Sequence, residues 1–292
     1  MPIRQQLARL TGRQALARRV AELERQLLQI QQDNGELRAE RDAVASELES
    51  MYHPPILINT LPKSGSVYII NTLQRGLGTH FEKIGRGTFP YDHVNGPALA
   101  AFSNRRAVTQ EHLDGSPYNQ RLLSRHLKRI VVHLRDPRAA ALSWMHHLTG
   151  LIRNRRDYEY AAAHLYPGDD FSDQPEAERM QWIVDHHFPA CIEWISGWLE
   201  AADAGPLAES RPEILITHYE AFTQDPDAFF ARILGFFEVA PERFRRVLVE
   251  RSKAMNFRKA QSGEWREQPD HLCRAMTDSI PDEWFERFGW ER

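Results

Sequence analysis

The chain has 292 residues, 42% of them hydrophobic, so it can build one large domain or two smaller ones around a true core. Its net charge of −3 excludes a nucleic-acid binder that works through bulk positive charge. Its apolar runs fall well short of the ~20 residues needed to cross a bilayer, and the Met1-Pro2-Ile3-Arg4 start has no apolar h-region, so neither a membrane span nor a secretory signal is expected.

The first element is a long helix with a heptad stripe. Val20, Leu27, Asn34, Arg41 and Leu48 fall at a, and Leu16, Leu23, Ile30, Leu37, Val44 and Met51 at d; nine of these eleven are apolar. So narrow a stripe predicts a coiled coil; a helix folded back onto its own domain, the alternative, normally shows a broader one. Asn34 at a fixes register and favours two strands, and Arg41 disfavours a tightly packed higher oligomer. In a parallel pair Arg19 faces Glu24 and Asp33 faces Arg38. Such exposed pairs are worth only ~0.2–1 kcal/mol each, enough to bias orientation. Gly35 weakens the helix by about 1 kcal/mol relative to Ala. The expectation is a parallel homodimer through residues 16–51. Tyr52-His53-Pro54-Pro55 ends the helix, because residues before proline avoid the helical region. This divides the chain into a coil at 1–52 and a second domain at 53–292.

Beyond the prolines, strands and helices alternate. Strands are predicted at Ile56–Leu61, Ile130–Leu134 and Glu213–Thr217. Helices are predicted at Val67–Leu77, from Arg138 to about Leu148, at Gln181–Ala202 with Trp182, Trp194 and Trp198, and at Pro226–Phe237. Short apolar strands between helices predict an α/β fold, a parallel sheet flanked by helices on both faces. Ligands of such folds sit at the carboxyl ends of the strands. Residues 153–180 read as a polar, irregular insertion, either a substrate-side lid or a plain loop. Two cysteines, Cys191 and Cys273, fit a reducing, cytoplasmic compartment. The thirteen histidines show no metal-ligand spacing, so no metal is expected.

Two strand ends carry the chemistry. The first strand runs into Pro62-Lys63-Ser64-Gly65-Ser66-Val67-Tyr68, and the second into Arg135-Asp136-Pro137-Arg138, with Ser143 in the next helix. Each places cations and hydroxyls before a helix N-terminus, where backbone N–H groups and the helix dipole favour an anion. Two such sites imply a ligand with two separate anionic groups. The first is not a Walker A motif, since Lys63 precedes Gly65 and no glycine lies upstream in the loop. Gly65 lets the backbone approach a ligand closely. Arg135 suits bidentate phosphate contact, and Asp136 with Pro137 reads as a helix start.

The loop and the Arg135/Ser143 spacing together resemble the sulfotransferases that use 3′-phosphoadenosine 5′-phosphosulfate (PAPS), across about residues 56–269 but not the coil. The resemblance implies a P-loop-like sulfotransferase fold and PAPS as co-substrate without a metal. By it, Lys63, Ser64, Gly65, Ser66, Val67 and Tyr68 hold the 5′-phosphosulfate, with Lys63 also assisting the leaving group; Arg135 and Ser143 hold the 3′-phosphate. The family often places a basic histidine some twenty residues before that arginine, which here matches His112; Glu111 beside it is the alternative base. Where some members carry a lysine two residues before the histidine, this chain has Gln110. Phe257-Arg258-Lys259-Ala260 is similar to the family's C-terminal nucleotide loop, with Ala260 in place of a glycine, and Arg258 and Lys259 are implied at the 3′-phosphate. Tyr68 and Tyr219 match family positions that would flank the adenine, and read equally well as ordinary core aromatics. The implied reaction is sulfuryl transfer to a hydroxyl or amine; the aromatic-rich helix at 182–198 and the basic residues of the 153–180 stretch suit a sugar, a phenol or a lipid-linked glycan, with a lean toward a carbohydrate or glycoconjugate acceptor. The alternatives are a P-loop-type nucleotide kinase, and a coiled-coil adaptor with an inactive nucleotide-binding domain.

Overall fold

The computed structural model describes residues 3–50, 53–154, 167–168, 170–205, 211–245 and 263–292. The chain divides into two units, Met1–Tyr52 and His53–Arg292. The first is one helix, α1 (Ile3–Ser50). Along it Leu16, Val20, Leu23, Leu27, Ile30, Leu37 and Val44 are all exposed, from 46% at Val20 to 66% at Leu16. A single chain thus leaves an apolar stripe in water, the kind of surface that marks an interaction site.

In the second unit the strands are β1 (Ile56–Thr60), β2 (His80–Phe81), β3 (Gly85–Arg86), β4 (His93–Val94), β5 (Ala107–Glu111), β6 (Arg129–Leu134) and β7 (Glu213–His218). Five of them form one parallel sheet in the order β2-β5-β1-β6-β7, and β3 and β4 make a small antiparallel pair. In the centre Ile58 lies opposite Gln110 on one side and Val131 on the other. Every β1 residue is buried because both faces of the sheet are covered. Alternation sends Leu57 to one core with Val132, Met145 and Trp198, and Ile56 and Ile58 to the other with Val131, Phe229 and Phe230.

The helices are α2 (Ser66–Leu77), α3 (Gly96–Phe102), α4 (Pro117–Ser124), α5 (Pro137–Arg153), α6 (Glu176–His186), α7 (Phe188–Asp203), α8 (Tyr219–Gln224), α9 (Pro226–Phe236), α10 (Asp270–Asp278) and α11 (Asp282–Phe288). The α/β class and the three predicted strands agree with this architecture. The single helix expected at Gln181–Ala202 is two, α6 and α7, with the break at His187. Pro189 has no N–H and fits only the first turn of a new helix. The irregular stretch expected at 153–180 is partly ordered: Phe171 and Met180 are fully buried, and Glu176 already begins α6. Residues 155–166 and 169 of that stretch lie outside the described residues. The sheet also holds β5, which the apolar pattern does not reveal because Thr109, Gln110 and Glu111 make it polar.

Candidate active site

Four adjacent strands, β5-β1-β6-β7, end at one edge of the sheet. From β1 the chain goes to β2 and β5 on one side and then crosses to β6 and β7 on the other, so the order reverses about β1, at the kind of switch point where open α/β sheets bind ligands. Lys63 and its loop follow β1, His112 follows β5, Arg135 follows β6 and Tyr219 follows β7. The sheet order therefore puts the loop between the histidine and the arginine.

The loop is left-handed at Lys63 (φ 68°) and Gly65 (φ 80°). A side chain at Gly65 would lie about 3.1 Å from the Tyr219 ring, so glycine is required both by conformation and by space. Gly65 is the N-cap of α2 and no side chain caps that helix, which leaves the Ser66 and Val67 N–H groups to a ligand, while the Tyr68 N–H bonds the Gly65 carbonyl at 3.0 Å. Two histidine-based supports fix the loop. His133, fully buried on β6, donates Nε2–H to the Ser64 carbonyl at 3.0 Å, and its Nδ1 then accepts from Thr217 Oγ1 at 2.9 Å. Burial pushes its pKa down to about 4, so it stays neutral. His112 makes the second support, through Thr60.

Arg135 is buried, donates from Nη1 to the Lys63 carbonyl at 2.8 Å, and rests 4.3 Å over the Tyr219 ring. Burial, and then the Arg135 charge, push the Lys63 ammonium down to about 8. The Ser64 hydroxyl and the Arg135 Nε are both buried without a hydrogen-bond partner. Two crowded cations, two orphaned donors and an uncapped helix start together fit an anionic group such as a phosphate or phosphosulfate. Val67 lies exposed in the first turn of α2, and Ser66 is buried beside it. Ser143 lies half-buried on α5, two turns beyond Arg135.

Tyr68 and Tyr219 pack into the core at this edge of the sheet. Both are buried, and both rings pack on Phe222, with centroids at 5.6 and 6.1 Å. Tyr219 is the floor on which Gly65 and Arg135 sit. Arg258, Lys259 and Ala260 lie outside the described residues.

Opposite Arg135 stands His112. Its Nδ1 is 2.6 Å from the Thr60 carbonyl, which can only accept, so Nδ1 carries the proton and Nε2 holds the lone pair. Burial lowers its pKa, against the pull of the Thr60 carbonyl and the Asp92 carboxylate, and keeps the ring neutral. Gln110 places its amide nitrogen 3.2 Å from Nε2. Glu111, the alternative base, points the other way along the strand: it is buried, accepts from Ile84 N–H at 2.6 Å and from Thr109 Oγ1 at 3.0 Å. Burial raises its pKa. It ties down the β3 segment.

Sequence reasoning missed the residues that hold these groups in place. Asn59, fully buried, exchanges two hydrogen bonds with the Leu113 backbone at 2.8 and 2.9 Å. Asp92 accepts the His112 N–H at 3.3 Å, and Trp194 Nε1 donates to the His112 carbonyl at 3.2 Å. Arg138, fully buried, pairs bidentately with Asp136 at 2.9 and 3.0 Å and lies 3.9 Å over Trp265. Asp136 caps α5 through the Arg138 N–H, as its place before Pro137 suggests. The signal for Asn59 and His133 is a lone polar residue in an otherwise apolar strand.

One edge of a parallel α/β sheet thus gathers an anion-receptive loop, a buried arginine with an unpartnered Nε and a neutral histidine. A family model described as "Sulfotransferase domain" matches residues 53–261, and the chain belongs to the sulfotransferase family. Among solved structures, the mouse sulfotransferase SULT7A1 complexed with PAP superposes with a TM-score of 0.53 at 14% identity, over 80% of this chain and 86% of that one. This shows the fold. A sulfotransferase from Alicyclobacillus acidocaldarius (TM-score 0.44, 14% identity, 82% and 98% covered) and a retinol dehydratase in a complex with retinol and PAP (0.45, 14%, 79% and 82%) align less closely. No curated protein sequence matches. Among the described residues no helix is long and apolar enough to cross a membrane, and no three His, Cys, Asp or Glu side chains cluster as metal ligands.

Proposed function

We propose that this enzyme transfers a sulfuryl group from PAPS to an acceptor hydroxyl (or amine), releasing 3′,5′-ADP. The observation that carries this is the pairing of an unsatisfied cationic loop at Lys63–Ser66 with a neutral His112 whose Nε2 lone pair is free of a proton. The SULT7A1 complex, which shares the fold and holds PAP, supports the choice of donor.

The chain's own groups divide the work. Ser64, Ser66 and the first-turn N–H groups of α2 receive the 5′-phosphosulfate, and Arg135 with Ser143 receives the 3′-phosphate. His112 Nε2 takes the proton of the acceptor hydroxyl as its oxygen bonds to sulfur. The bond from sulfur to the bridging oxygen breaks, and Lys63 stabilises the electron pair left on that oxygen. Gln110 must give up Nε2 when the acceptor arrives. Arg138, through Asp136, holds the start of α5 and so positions Arg135 and Ser143. Arg258 and Lys259 complete the 3′-phosphate contacts in this reading.

The same chain forms a parallel homodimer through residues 16–51. The exposed a/d stripe and the Arg19–Glu24 and Asp33–Arg38 complementarity support this. Its two cysteines are unpaired, which suits a reducing cytoplasm. Calorimetric titration with 3′,5′-ADP, ADP and ATP tests the donor site. Selective binding of 3′,5′-ADP, lost in Arg135→Ala, is expected; preference for ATP, or no binding, overturns the reading.

A further inference from the structure

Resting on that reaction, we infer that Gln110 is a latch on the base: its amide caps the His112 Nε2 lone pair until an acceptor displaces it, and so limits the loss of PAPS to water. Gln110 lies on β5 and His112 two residues further on, so alternation puts both side chains on one face of the chain. Both are half-buried, whereas Thr109, Glu111 and Leu113 are buried on the other face. Gln110 Nε2 lies 3.2 Å from His112 Nε2 and 3.5 Å from Thr60 Oγ1. The far end of the ring fixes the sense of the first contact. The Thr60 carbonyl, 2.6 Å from Nδ1, holds the proton there. Nε2 can then only accept, and the amide must donate.

A donor on the lone pair favours the neutral ring, but it also occupies the orbital that takes up a proton in the reaction. Water beside bound PAPS therefore meets a base already engaged. With the latch open, the water oxygen bonds to sulfur while one of its protons passes to Nε2. The bond from sulfur to the bridging oxygen breaks, its electron pair leaves with 3′,5′-ADP, and hydrogen sulfate is released. An acceptor hydroxyl differs from water because the rest of its molecule is bound and holds it in place. It can displace the amide, which keeps Thr60 Oγ1 as its own acceptor. The ring does not need Gln110 for its placement. The Thr60 carbonyl holds Nδ1, Asp92 holds the His112 N–H, and Trp194 holds the His112 carbonyl. Gln110 acts on the reacting nitrogen. Loss of a residue that merely positioned the ring would slow attack by water and by acceptor alike, whereas loss of a latch speeds attack by water.

The test compares the full-length protein with Gln110→Met, which keeps the side chain's length and removes the donor, and with Gln110→Met combined with His112→Gln. In the ligand-free protein, NMR titration of His112 should move upward by about half to one pH unit in Gln110→Met, because the neutral ring loses a hydrogen bond. Gln110→Glu, of the wild-type shape, should move it further, since a carboxylate favours the imidazolium. The charged groups that act on the ring, Asp92, Lys63 and Lys83, are the same in all these proteins, as is Glu111 on the opposite face. With PAPS alone and no acceptor, release of inorganic sulfate should rise roughly two- to tenfold in Gln110→Met, and the gain should vanish in the double variant. Calorimetry with 3′,5′-ADP checks the donor site of each protein. An unmoved His112 titration overturns the latch and leaves the transfer reaction standing. So does sulfate release that stays level or falls in Gln110→Met while 3′,5′-ADP still binds, or a gain that persists without His112. Failure of the wild-type protein to bind 3′,5′-ADP overturns the underlying reaction, and the latch with it.

Discussion

The two sides of the β1 loop are built by different means. On the β6 side, Arg135, Asp136, Pro137 and Arg138 are consecutive, and one short segment supplies the arginine proposed for the 3′-phosphate, the helix cap and the buried clamp. On the β5 side, His112 is placed by Asn59, Thr60, Asp92 and Trp194, drawn from widely separated parts of the chain. A site made from one segment is robust in sequence and readable as a motif. A site made from scattered supports depends on the whole fold, and its residues look unremarkable in a linear string.

That contrast can be broken most forcefully at the base. His112→Gln should lower kcat by roughly 10²–10⁴-fold, the usual contribution of a positioned general base, with 3′,5′-ADP affinity unchanged. Steady-state kinetics and calorimetry on the same preparation check it. A kcat within threefold of wild type would move the base elsewhere. Asn59→Ala should lower kcat in the same direction without touching Nε2, because it frees the Leu113 backbone next to His112. It also strands buried backbone groups, which costs about 1–3 kcal/mol of stability, so thermal unfolding must be measured in parallel.

On the other side Arg135→Ala removes a charge-assisted contact worth about 1.5–3 kcal/mol, or ~10–150-fold in 3′,5′-ADP affinity. Arg135→Lys should recover only part of this, since a point charge cannot reproduce the fork. Their kcat at saturating donor should stay closer to wild type than that of His112→Gln. If both sides instead respond alike in kcat and in affinity, the division of labour between them is wrong.

The legibility of the molecule follows the same line. The parallel sheet was readable at β1 and β6 because strands covered on both faces are continuous apolar runs, and at the half-buried edge strand β7 through its Ile214-Leu215-Ile216 run. β5 was not, since its buried polar Thr109 and Glu111 bond each other and Glu111 is further satisfied by the Ile84 N–H, 27 residues away. The α6–α7 break was announced by Pro189 but hidden under a strong apolar pattern. Lys63, Gly65 and Arg135 were readable because their roles are local: a left-handed turn, a strand end, a helix start. For Tyr68 and Tyr219 the sequence left two readings, adenine contact or core aromatic, because nothing in a sequence distinguishes a ring in the core from a ring at a site's surface; both rings are buried.

The smallest expected effect is also the most diagnostic of how the loop is poised. Lys63 is held down to about 8 by burial and by the Arg135 charge. An anion needs its ammonium form, so 3′,5′-ADP affinity should be flat from pH 7 to about 8. It should then fall by up to tenfold per pH unit, because above its pKa the lysine must take up a proton on binding. Calorimetry between pH 7 and 9.5 reads this, and Lys63→Met should flatten the curve at a weaker affinity. Stability runs the opposite way. The unfolded lysine titrates near its ordinary 10.5 and the folded one near 8, so between those values the unfolded state holds more protons. The cost of burying the ammonium is therefore full below about 8 and fades as pH rises toward 10.5. Lys63→Met should remove that cost, raising Tm at pH 7 while binding the nucleotide less well. A variant that lost both stability and affinity would show that Lys63 is a structural anchor of the loop and not a charge held in reserve for the ligand.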